Sequence, residues 1–122
     1  MGNLRQVAGE FVPDSLIPDA SFPQQVGGVT LAGGQGLLLR GTVVGAKSDN
    51  LHYLTDTTAT VTADAILTDD VDTGGLGAPV VTTTAYVSGV FNRSALIFGG
   101  EDTAEDHEET LRTKGIYLKA VL

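Results

Sequence analysis

Residues 41–48 read GTVVGAKS, one substitution short of the phosphate-loop pattern G-x-x-x-x-G-K-[ST], with Ala46 where the second glycine belongs. Read as that loop, the stretch commits the chain to a parallel sheet flanked by helices; read as a strand and turn, it commits the chain to a β-rich domain. The loop presents successive backbone N–H groups in conformations open to glycine, which Ala46 enters only at a steric cost. A helix must also come next, because its N-terminus helps to hold the anion. After Lys47 the chain instead reads SDNLHYLTDTTATVTADAILT. That run is dense in Thr and Val, whose branched side chains favour strands, and it has no 3.6-residue apolar period. At 122 residues the chain is also too short for a phosphate-loop enzyme. GTVVGAKS is therefore a strand and turn, with Leu37, Leu38 and Leu39 before it and Val43 and Val44 directed to a core.

Working outward, the same strand character continues on both sides. Short candidates are GVTLA, LLLRGTVVGAK, LHYLT, TATVTADAILT and PVVTTTAYVSGVF, separated by turns that use many of the sixteen glycines. GGVTLAGGQG lacks the G-x-G-x-x-G order, so no dinucleotide fingerprint exists. One helix is expected in GGEDTAEDHEETLRTKG: Asp102 or Thr103 as its cap, acids in the first turns, Arg112 and Lys114 near its end, Gly115 as terminator. A last strand, IYLKAVL, closes the chain. The expected fold is a small α+β domain over residues 29–122. It is β-rich, barrel- or sandwich-like and mostly antiparallel, with one short C-terminal helix.

Residues 1–28 differ in kind. They hold three of the four prolines, Pro13, Pro18 and Pro23, so no helix persists and the segment runs extended. Yet Phe11, Val12, Leu16, Ile17 and Phe22 give it more apolar surface than a free tail keeps in water. Either this N-terminal arm folds back onto its own domain, or it docks on another subunit by strand addition. The second is the expectation, with those five residues as the contact.

Composition narrows the function. The chain has no cysteine, which excludes disulfides, thiolate metal sites and cysteine nucleophiles. A formal net charge of −8 with only seven Lys and Arg provides no basic stripe for nucleic acid. No apolar run approaches the roughly 20 residues of a membrane span, and MGNLRQVAGEF lacks a signal-peptide layout, so a soluble protein made in the cytoplasm is expected. Asp69, Asp70 and Asp72 miss the EF-hand spacing: counted from Asp70, Gly74 stands at the fifth position and Val81 at the twelfth. His52 and His107 lie in different elements without a third ligand or a nucleophile. The acids between Glu101 and Glu109 suit a helix start and a solvated face. No enzyme, cofactor or metal is expected.

Four pieces in order, LLLRGTVVGAK, ADAILTDDVDT, AYVSGVFNRSAL and LRTKGIYL, resemble the head decoration proteins of lambda-like tailed bacteriophages. The matching positions are Arg40, Gly41, Thr42, Val43 and Gly45; Ala65, Ile66, Leu67, Asp70 and Val71; Gly89, Phe91 and Asn92; and Leu111, Gly115 and Ile116. The resemblance implies a structural virion protein that sits as a homotrimer on the outer capsid surface at local three-fold positions. There its arm would pair with the major capsid protein and stabilise the expanded head. The alternatives are another virion component of tail-tube or head-completion type, or a small-molecule binding domain.

Overall fold

The computed structural model describes residues 16–17, 24–55, 61–100 and 102–119. Along the chain these form β1 (Gln25–Leu31), β2 (Leu37–Leu38), β3 (Val43–Ala46), β4 (His52–Leu54), β5 (Ala65–Leu67), β6 (Val71–Asp72), β7 (Val81–Asn92), helix α1 (Ala104–Thr113) and β8 (Ile116–Lys119). Because β1 pairs with both β4 and β7, the order β1–β4–β3–β5–β7 closes on itself as a five-stranded barrel, and β8 adds beside the far end of β7. The β1–β4 and β7–β8 pairings are parallel, while the other five among the described residues are antiparallel.

Side chains that alternate along a strand must find cover on both faces of a closed sheet. Val29, Leu31, Leu38, Val44, Ala65, Leu67 and Ala85 form one buried cluster, the barrel interior. Their neighbours in sequence, Val43 and Ile66, turn the other way and join Ala63 and Phe91 in a second cluster. Leu111 of α1 and Ile116 of β8 complete that second cluster, so the helix and last strand cover one flank of the barrel.

The helix forms where its end signals place it. Thr103 caps it in an extended conformation, and the Asp106 carboxylate accepts the Thr103 N–H at 2.8 Å. Glu105 and Asp106 occupy the positive end of the dipole and Arg112 the negative end. Gly115 comes next at φ +87°, the left-handed conformation that ends helices and that glycine adopts without strain. His107 and Leu111, one turn apart, are its buried residues.

Two strands differ from expectation. LLLRGTVVGAK is divided into β2 and β3 by a turn in which Thr42 donates both its N–H (3.0 Å) and its hydroxyl (2.6 Å) to Leu39 O. Hydrogen bonds within the turn outcompete strand propensity there. The divided-off β2 pairs with β6, which lies in TDDVDT, as a separate two-stranded sheet. β1 starts at Gln25, earlier than GVTLA, because β7 offers a long partner as far as Ser88.

Candidate functional site

Of the five arm residues, Phe11, Val12 and Phe22 lie outside the described residues. Leu16 and Ile17 are described, and they belong to the domain. Leu16 is 1% exposed, inside the cluster of Val43, Ile66, Phe91 and Leu111, with Ile17 packed against it. Asn92 donates its N–H to Leu16 O at 2.8 Å, which fixes the backbone there. Leu16 and Ile17, expected at a partner contact, are thus packed within this chain. The barrel's outer flank needs apolar cover, and Leu16 supplies it from outside the sheet.

GTVVGAKS is half strand and half turn, as its composition requires. Ala46 sits in β3, paired with His52, and residues after it reverse direction, with Lys47 and Leu51 closing the turn at 3.1 Å. Gly45 is held by proximity: a Cβ there would lie 1.8 Å from Thr62 O. Lys47 Nζ sits 4.2 Å from the Tyr53 ring centroid, and Tyr53 donates to Asp49 at 2.7 Å. The Leu51 N–H and then the Tyr53 hydroxyl hold the Asp49 carboxyl below its ordinary range, and the same carboxylate pushes the Tyr53 phenol up.

Arg40 gathers the separate sequence pieces into one junction. Its N–H bonds Asp70 Oδ1 at 2.8 Å, and its guanidinium bonds Thr68 O at 2.8 Å and the Tyr86 hydroxyl at 3.1 Å. Asp70 and Arg40 were both legible as pattern positions, but their pairing was not, since it depends on β5 and β6 returning beside the β2–β3 turn. The two histidines also have acid partners that spacing did not reveal. His52 Nε2 lies 3.0 Å from Asp64. His107 Nε2 lies 2.6 Å from Asp102 in a pair only 4% and 6% exposed, with the ring stacked on Phe98. Among the described residues no three His, Cys, Asp or Glu gather as a metal site. No helix among them is long and apolar enough to cross a membrane.

Of the acids on α1, Glu108 is engaged. It pairs with Arg93 of the 3-10 turn Arg93–Ala95 and, more distantly at 3.9 Å, with Arg112, while Arg112 also meets Glu109. What the described surface offers a partner is apolar instead: Val26, Leu37, Leu39, Leu76, Val80 and Tyr117 are large side chains left exposed.

The described residues thus form a small closed barrel with α1 and β8 covering one flank and several apolar side chains exposed. The chain belongs to the family of bacteriophage lambda head decoration protein D, whose family model matches residues 6–116. No curated protein matches the chain in sequence. The family is one of structural phage capsid proteins, and membership associates this chain with the phage capsid and the virion.

Proposed function

We propose that this chain stabilises the expanded head of a phage by binding the outside of the capsid as trimers at local three-fold positions. The segment N-terminal to Leu16 would pair with the major capsid protein. The observation that carries this reading is the extent of the family match, which begins at residue 6 and so includes the arm as well as the barrel. The buried Leu16 side chain and its backbone bond to Asn92 anchor the root of the arm. From that root Phe11 and Val12 would serve as the docking side chains, and Phe22 belongs to the same arm on the way to β1. Burial of each large apolar side chain contributes roughly 1.5–3 kcal/mol before ordering costs, and strand addition supplies main-chain hydrogen bonds. Pro13 must sit where its missing N–H faces away from the partner strand.

Deletion of residues 1–15 tests the docking, because it removes Phe11 and Val12 and spares Leu16. The shortened protein should melt cooperatively near the full-length temperature and fail to coat heads. Wild-type occupancy by the shortened protein would overturn arm docking. Copies confined to one vertex of the particle would overturn the decoration reading.

A further inference from the structure

Two stretches of the sequence contain no Asp, Glu, Lys, Arg or His: residues 20–39 and 73–92, twenty residues each in a chain of net charge −8. The fold lays residues 25–36 of the first against residues 73–88 of the second. β1 runs antiparallel to β7 from Gln25↔Ser88 to Leu31↔Val81. Beyond the strands the loops also join, with Gly34 N–H to Thr73 O at 2.9 Å and Thr73 N–H to Gly36 O at 2.8 Å. Two uncharged halves thus become one surface. Alternation sends Val29, Leu31 and Ala85 into the barrel and leaves Val26, Thr82 and Thr84 exposed outside. Along the same chain Leu76 is fully exposed and Val80 is 52% exposed. Elsewhere α1, β8 and Leu16 plate the outer face of the barrel.

We propose that this uncharged face is the seam between copies of this chain, with Val26, Thr82, Thr84, Leu76 and Val80 set against the neighbouring copy. The inference rests on the trimer reading above and adds the surface that makes the trimer. Electrostatics selects a second copy as occupant. Every copy carries the same negative charge, so contact through a charged face would juxtapose like charges or strip their water, whereas β1 and β7 carry no charge and the nearest charged groups, Asp69 beyond Thr68 and Arg40 on Tyr86, stand at the β5 border of the face. Interface centres are depleted of charge in just this way. A rotational trimer also needs a heterologous seam, in which two different patches meet. The face supplies two, the β1–β7 strand surface and the turn carrying Leu76.

The absence of cysteine permits a single photo-crosslinking label at a chosen site. Thr82→Cys and Val26→Cys test the face, and Glu105→Cys on α1 serves as the control, each labelled with benzophenone maleimide and assembled on phage heads. Labels at Thr82 and Val26 should yield a product of twice the 12.6 kDa chain mass, at least about tenfold more than the control. Adducts of those two labels with the shell protein alone, or no copy-to-copy adduct, would overturn the seam. The trimer reading is judged separately by density around the local three-fold axes: a three-fold map with copy-to-copy adducts from Glu105 and none from Thr82 keeps the trimer and overturns this seam. Val26→Glu with Thr82→Glu, at exposed positions, should keep the melting temperature and weaken self-association at least about tenfold; unchanged association would also overturn it.

Discussion

At the scale of single residues, Leu16 has the role that sequence position most disguises. It sits among prolines in a segment with no described secondary structure, yet it is 1% exposed among Val43, Ile66, Phe91 and Leu111. Leu16→Ala should therefore destabilise the free protein by about 2–5 kcal/mol, the usual range for a buried leucine, measured as a lower urea midpoint at unchanged slope. A midpoint unchanged within error would mean that the side chain is not part of the core. Gly45 makes the opposite kind of demand. The backbone of Thr62 passes so close that any Cβ collides with its carbonyl. Gly45→Ala should cost several kcal/mol, on the order of an overpacked core, or prevent folding. A soluble Gly45→Ala protein melting like the wild type would show that the 61–64 segment can move aside.

At the scale of elements, the β3–β4 turn and α1 make separate predictions. In the turn, the Leu51 N–H and then the Tyr53 hydroxyl lower the Asp49 carboxyl, and the bond to Asp49 raises the Tyr53 phenol. The signs give a window. A lowered acid contributes stability above the ordinary carboxylate range and loses it as pH falls through the folded value. A raised phenol contributes below the ordinary tyrosine range and loses it as pH rises through the folded value. Neither group is buried, so the effect on global stability is small, and titration of Tyr53 itself is the measurement. Its phenol should ionise later than free tyrosine, and Asp49→Ala should return it toward the ordinary value; no change on substitution would refute the pairing. In α1, Glu105 and Glu109 are exposed, whereas Glu108 joins Arg93 and Arg112. Glu105→Gln and Glu109→Gln should leave stability and capsid binding within a few fold, while Glu108→Gln should cost up to about 1 kcal/mol in thermal unfolding.

For the whole molecule, charge and its absence are separated in space. The acids concentrate on α1 and the turns, while residues 20–39 and 73–92 carry none. If copies meet through the uncharged face, the remaining long-range term between them is repulsion at −8 per chain. Raising salt from about 0.01 M to 0.15 M shortens the screening length from about 30 Å to about 8 Å. Self-association followed by sedimentation should then strengthen with salt. Weakening with salt would mean that ion pairs hold the copies together and that the seam lies on a charged surface.

Periodicity and end signals were sufficient for the kinds of element present. Asp102 or Thr103 at one end and Gly115 at the other bracketed the helix, branched residues after Lys47 ruled out a phosphate loop, and the order of the motif pieces carried the family. These are local properties, set by each residue's own backbone preferences and by near neighbours, and so they are legible in a linear string. The closure of the barrel through β1 onto both β4 and β7 was not legible, nor were the Arg40–Asp70 junction and the burial of Leu16. Each depends on which surfaces remain uncovered once the sheet has curved, and long-range packing alone decides that. Leu16 and Phe11 look alike in the sequence, as apolar residues on a proline-broken arm. The tertiary structure buries Leu16 because Val43, Ile66 and Phe91 of the barrel and Leu111 of α1 leave an apolar gap between them, and Leu16 is the residue whose backbone Asn92 holds in place.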